Sequence, residues 1–297
     1  MTDGERLLAA VIDAPDDDLP RLVYADWLEE HGDAAGRVRA AFIRLQVELA
    51  RLASDDPRRP ALEERERAEW RGLWPRAYHA DLPQLDKARW GTGRLEEPQL
   101  VRGFVELLRV RNWKVLAEHG AALFRAAPIR HLQVDFELPT PGTMKKLAAW
   151  PLLRRLRALS MDYRSYRPGI GDPAARALAA SPHLGNLREL SLVSDDITQA
   201  GVRELLAAPW LSGLRRLDLT YNPIGDEGTA LIAASPAVGG LEELLLRRTE
   251  AGNRSARAFA ESPSPGGLRL LDLSGNHGIG APERRRLTER FGDRVKL

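Results

Sequence analysis

Leucines recur in this chain on a fixed beat, and that beat restricts the fold more than any other feature. The segments LRALSM from Leu156, LRELSL from Leu187, LRRLDL from Leu214, LEELLL from Leu241 and LRLLDL from Leu268 share an L-x-x-L-x-L frame, and IRHLQV from Ile129 is a degenerate earlier copy. Frame starts lie 27 residues apart except between Leu156 and Leu187, where the interval is 31. Pro151, Pro182, Pro209, Pro236 and Pro263 keep the later intervals, so a second residue class reports the same register. A fixed period of this length marks stacked supersecondary units, none of which buries its apolar face alone.

Each period reads as strand, turn and helix. The last two leucines of the frame are two residues apart, so on a strand they enter the core together while the residues between them face outward. About ten residues later come TQAGVRELLAAP (198–209), GDEGTALIAASP (225–236) and NRSARAFAESP (253–263). Each opens with a capping residue type (Thr198, Asp226, Asn253), keeps helical apolar spacing and stops at proline. The prediction is an α/β solenoid over residues 101–297, with parallel strands on the concave face and helices on the convex one. RGFVELLRV (102–110) is its expected capping strand, 112–128 its first helix, and APERRRLTERFGDRVKL a closing helix.

The frame resembles the leucine-rich-repeat family, in particular the long repeats of the ribonuclease-inhibitor type. That resemblance implies an Asn after the frame whose side chain satisfies turn backbone groups, which Asn222 and Asn276 match. Asp195, Thr249 and Arg164 stand there in other copies, so a less regular turn ladder is expected at those repeats.

Residues 1–75 carry no repeat and read as a small α-helical N-terminal domain, with 76–100 as a linker. RLVYADWLEEHGD (21–33) places Leu22, Val23, Trp27 and Leu28 on one helix face, with Asp18 as N-cap and Gly32 as a left-handed C-cap. RVRAAFIRLQVELARL (37–52) puts Phe42, Leu45, Leu49 and Leu52 at helical spacing. ASDDPRRP (53–60) reads as a turn before a further charged helix, and Trp27, Trp70, Trp74 and Trp90 suggest aromatic packing. LVYADWLEEHGD and FIRLQ resemble the bacterial repeat-companion domain, a helical module found ahead of repeat arrays. The acidic residue common before FIRLQ is Ala41 here.

Little in the chain points to chemistry. Without cysteine there are no disulfides, thiolate nucleophiles or Cys-held zinc. The six histidines have no metal-helix spacing, so neither metal nor cofactor is expected. The net charge of +2 divides into −5 over residues 1–92 and +7 beyond, a near balance and no nucleic-acid signature. No apolar run approaches the ~20 residues a membrane helix needs. The start MTDGERLLAAVIDAPDDD is acidic, so a cytoplasmic location is expected. The acidic run 16–18 reads as a helix entrance, Trp27 as core, and Asp26 as partner to an amide or arginine. GIGD (169–172) and SGNHGIG (274–280) lack a phosphate-loop context and read as turns.

The outward strand positions are the informative ones. One rung reads His131, Ala158, Glu189, Arg216, Glu243 and Leu270; the next reads Gln133, Ser160, Ser191, Asp218, Leu245 and Asp272; the third reads Asp135, Asp162, Val193, Thr220, Arg247 and Ser274. Adjacent strands ~4.8 Å apart would let Glu189, Arg216 and Glu243 form an alternating charge row. Asp135 and Asp162 are a neighbouring acidic pair open to a basic partner, and Tyr163 and Tyr166 lie with Arg164 and Arg167 in the segment MDYRSYRPGIGD (161–172), which carries the four extra residues of the longer unit. The expected function is non-catalytic binding of a protein partner on this face, by a monomer. Two alternatives stay open: nucleic-acid binding through ERRRLTER and the arginines near 154–167, and an enzyme using Asp26, His79 or His119.

Overall fold

The computed structural model describes residues 1–73, 100–110, 113–134, 140–161, 169–264 and 266–297. Expectations for Trp74, His79, Trp90, Asp135, Asp162, Tyr163, Arg164, Tyr166, Arg167 and most of the linker 76–100 lie outside these residues, as does the Trp70 side chain. Contacts form two compact units, residues 1–109 with 114–130 and residues 110–113 with 131–297. The expected capping strand and first helix thus group mainly with the N-terminal helices.

Four helices open the first unit: α1 (Asp3–Asp13), α2 (Asp18–His31), α3 (Ala34–Arg51) and α4 (Arg59–Leu73). Thr2 and Glu5 form a reciprocal capping box at α1. The N-cap of α2 is Asp17 rather than Asp18, accepting from the Leu19 N–H at 2.9 Å. The buried face of α2 is Arg21, Tyr24, Ala25 and Leu28, while Val23 is exposed and Trp27 half-buried. Leu22 and Trp27 pack against the same core as Leu28, so of the expected face only Val23 departs; apolarity gave no sign that the helix also buries an arginine. Trp27 lies on Gly4, where a Cβ would come within 2.5 Å of the indole. Gly32 is extended (φ −79°, ψ 160°) instead of left-handed; it is required for space, since a Cβ would sit 2.3 Å from the Leu28 carbonyl oxygen.

What Arg21 serves is a hairpin of β1 (Leu100–Val101) and β2 (Phe104–Val105), which is followed by β3 (Leu107–Val110) and α5 (Trp113–Ala126). The β1–β2 turn holds Arg102 and Gly103 at φ 49° and 84°, the two-residue geometry that suits a twisted hairpin. A Cβ on Gly103 would fall 2.2 Å from Ile43, so only glycine lets the turn touch α3. Gln46 fastens it: its Oε1 accepts from the Gly103 N–H at 2.6 Å, and its Nε2 donates to the Leu100 carbonyl at 3.0 Å. Arg21, fully buried, donates to the carbonyls of Val101 (3.1 Å) and Pro15 (2.8 Å) and pairs with Glu106 at 2.6 Å. The Phe104 ring receives the guanidiniums of Arg21 and Arg39, each 5.1 Å from its centroid. Burial holds the Glu106 carboxyl above its ordinary range despite the pull of Arg21. The acidic run 16–18 is engaged as well: Asp16 pairs with Arg130, and Asp18 with Arg51 (2.8 Å) and Arg102 (3.1 Å).

In the second unit seven parallel strands follow in chain order: β4 (His131–Val134), β5 (Ala158–Ser160), β6 (Glu189–Ser191), β7 (Arg216–Asp218), β8 (Glu243–Leu245), β9 (Leu270–Asp272) and β10 (Val295–Lys296). Between them run α6 (Pro141–Ala148), α7 (Gly171–Ala179), α8 (Gln199–Leu206), α9 (Gly225–Ala234), α10 (Asn253–Glu261) and α11 (Ala281–Phe291), each packed on the next in line. Every apolar position of the six frames, from Ile129 to Leu273, is at most 3% exposed. The expected closing helix is α11, and β10 after it adds a last parallel strand on β9.

Two polar ladders join the repeats. Asn222 Oδ1 accepts from the N–H groups of Asp195 (3.0 Å) and Ile197 (2.9 Å) one repeat back, and its Nδ2 donates to the carbonyls of Leu192 (2.6 Å) and Leu219 (2.9 Å). Asn276 repeats the pattern with Thr249, Ala251, Leu246 and Leu273. Thr249 reaches only its own turn, donating to Leu246 O at 2.9 Å, and Ile224 N–H turns instead to Asn222 O at 2.8 Å. The irregular rung expected at Thr249 is therefore present. One position before these residues, Ser194, Tyr221, Arg248 and Gly275 all take positive φ, 60°, 60°, 51° and 74°.

The second ladder lies at the helix starts, where Asp172, Gln199, Asp226 and Asn253 recur every 27 residues. Asp172 accepts from the N–H (2.8 Å) and hydroxyl (2.7 Å) of Thr198. Asp226 accepts from the N–H groups of Gly252 (2.9 Å), Arg254 (3.0 Å) and Ser255 (2.7 Å), and Asn253 from Gly280 (2.7 Å). Of the three expected helix caps, only Thr198 caps its own helix; Asp226 and Asn253 serve the following repeat. Burial alone would raise the Asp226 carboxyl, but its N–H donors together leave it below the ordinary aspartate value.

Candidate functional site

The strand face is built by backbone register, which fixes what stands beside what. Pairing aligns His131 with Ala158, Glu189, Arg216, Glu243 and Leu270, and Gln133 with Ser160, Ser191, Asp218, Leu245 and Asp272. Both rows match the rungs expected from sequence. Side chains alternate across the pleat, so the leucines between them enter the core. Glu189 and Arg247 are exposed, and His131, Gln133, Arg216, Asp218, Glu243 and Asp272 are half-buried. Asp135, Asp162, Tyr163 and Tyr166 lie outside the described residues.

The charges do not form the simple alternating row. Arg216 pairs with Glu243 across the strands and lies 3.8 Å from Asp218 on its own strand. Glu189 makes no ion pair among the described residues and stays open to solvent. Asp218 and Asp272 have local work: Asp218 accepts from the Thr220 N–H at 3.0 Å, and Asp272 from the N–H (2.9 Å) and hydroxyl (2.6 Å) of Ser274. These side chains shape the strand exit and have less capacity left for a partner. His131 Nε2 lies 2.8 Å from Ser160 Oγ. The described part of this face can thus offer hydrogen bonds and a few charges along a row of stacked strands.

At the end of the strands stands a cluster that the sequence reading missed in part. Tyr221, 43% exposed, has the guanidinium of Arg247 at 5.9 Å and that of Arg248 at 5.6 Å from its ring centroid. The detectable signal was an aromatic residue just before the ladder Asn222, a place that turns outward with positive φ. Beside it, Arg248, Glu250, Asn253 and His277 line an open groove of about 870 Å³.

Two of the residues named for a possible reaction are among the described ones. Asp26 is exposed and pairs with Arg44 at 2.7 Å, the arginine partner expected for it, while His119 on α5 lies 3.8 Å from Glu118. His79 falls outside the described residues. Among the described residues no group of three or more His, Asp or Glu is placed to hold a metal, and no helix is long and apolar enough to cross a membrane.

A family model described as Leucine Rich repeat matches residues 214–233, which cover β7, its turn and nearly all of α9. No curated protein matches the chain. With parallel strands in register, buried leucine frames and this match, the second unit is a leucine-rich-repeat solenoid.

Proposed function

We propose that the chain is a non-catalytic interaction module that binds a protein partner on its strand face, with Glu189, Arg216, Glu243 and Arg247 as contacts. The observation that carries this reading is the in-register row of polar side chains on a surface of stacked strands. Such a surface is preformed, so little conformational entropy is lost when a partner docks. Within the same proposal, the repeats are of the ribonuclease-inhibitor type, Asp135, Asp162, Tyr163 and Tyr166 extend the contact surface, and the protein acts as a cytoplasmic monomer.

The N-terminal helices belong, on this reading, to the bacterial repeat-companion type. The motif residues support it by having a shared purpose: Tyr24 and Ile43 enter one apolar cluster with Phe104, and Gln46 fastens the hairpin turn. Nucleic-acid binding through ERRRLTER is disfavoured by the other engagements of its charges. Glu283 pairs with Arg257 at 3.0 Å, Arg285 pairs with Glu289 at 2.8 Å, and Arg284 donates to Ile279 O at 2.9 Å. The test is to immobilise the chain, identify retained proteins and measure their affinity for Arg216→Glu and Glu189→Arg variants. A loss of about tenfold or more is expected for a central contact. A partner retained with unchanged affinity by both variants contradicts the proposal.

A further inference from the structure

We infer that Tyr221, Arg247 and Arg248 form an acceptor for acidic side chains, so that the protein partner presents an Asp/Glu-rich segment at the strand ends of the β7 and β8 repeats. This rests on the proposed binding face and names the chemistry of what binds there. Position comes first. Tyr221 N–H donates to Arg247 O at 2.8 Å and Arg248 N–H to Ser274 O at 3.1 Å, so the backbone fixes the arginines beside the ring of the preceding repeat. Tyr221, Arg247 and Arg248 are exposed, and among the described residues neither arginine has an acidic partner.

Charge comes second. The acids nearest in register have other engagements: Glu243 holds Arg216, Asp218 and Asp272 serve their own strand exits, and Asp226 takes three backbone N–H groups. Two guanidiniums oriented by one aromatic face can present their planar forks to carboxylates, which accept them bidentately. The groove bordered by Arg248 leaves room beside them for a peptide chain. Glu250 also lines that groove, without an ion pair among the described residues, and opposes an acidic ligand, which gives the proposal a sign to test.

The experiment titrates the full chain into a fluorescein-labelled peptide of ten glutamates and follows anisotropy at low and high salt, with a ten-nucleotide RNA as a separate arm. Saturable peptide binding that weakens with salt is expected. Arg247→Ala with Arg248→Ala should weaken it about fivefold and Tyr221→Ala about threefold. Glu250→Gln should strengthen it about twofold. Arg247→Lys with Arg248→Lys keeps the charge and should weaken binding less than the alanine pair, separating recognition from misfolding. Arg215→Ala, at an exposed arginine just before the strand Arg216–Asp218, should change nothing. No binding by the parent chain, equal binding by the double alanine variant, or tighter binding of the RNA would overturn the assignment. If the peptide fails while a captured partner still responds to Arg216→Glu, the acidic-segment inference falls and the binding face stands.

Discussion

Removing one rung of the asparagine ladder is the sharpest perturbation of the repeat stack. Asn222 is 1% exposed and makes four hydrogen bonds between 2.6 and 3.0 Å, three of them to the preceding repeat. Each buried hydrogen bond contributes about 1 kcal/mol net, so Asn222→Ala should cost about 4 kcal/mol. Asn222→Thr, which copies the arrangement of Thr249 and keeps only the bond to its own turn, should cost about 3 kcal/mol. Because repeat arrays are stabilised through nearest-neighbour interfaces, the loss should appear locally first. Urea unfolding followed by far-ultraviolet dichroism gives the global cost, and hydrogen exchange at the Asp195 and Ile197 amides gives the local one. A global cost under about 1 kcal/mol, with those amides exchanging at their original rates, would refute the assignment of inter-repeat stability to this side chain.

Thr249→Asn supplies the missing rung and should stabilise the chain by about 1 kcal/mol in urea unfolding, with slower exchange at the Ile224 amide. Gly103→Ala places a methyl against Ile43 and strains a residue at φ 84°, so it should cost about 3 kcal/mol in thermal or urea unfolding. For Asp226 the folded pKa is depressed, so its stabilisation is present above the unfolded value and is lost as pH falls through the folded one. Asp226→Asn should therefore flatten the loss of stability as pH falls below about 4, measured as urea midpoints; an unchanged acid limb would contradict this.

The solenoid was legible because one physical demand repeats: leucines two apart on a strand must be buried together, and every frame obeys it. Rungs followed from register, and the weak turn at Thr249 followed from the missing amide. The helix-start ladder of Asp172, Gln199, Asp226 and Asn253 was also present in the sequence, at the same 27-residue interval. It was missed because Asp226 and Asn253 look like caps of their own helices, and only the stacking of repeats shows that they reach the next. Arg21 was illegible for a different reason. A charged residue at a core position contradicts apolar patterning until the hairpin carbonyls and Glu106 that satisfy it are in place. Within the site, exposure was foreseeable but availability was not: whether Asp218 and Asp272 face a partner or fold back on their own turns depends on the local backbone path.

The most direct test of the binding face is a hydrogen-exchange footprint of the full chain with a captured protein partner. Protection on binding should fall on the strands and their exits, residues 189–193, 216–221, 243–248 and 270–274, while the helices Gly171–Ala179, Gln199–Leu206 and Asn253–Glu261 exchange as before. Protection confined to those helices, with the strand exits unchanged, would place the partner on the opposite side of the repeats and contradict the account.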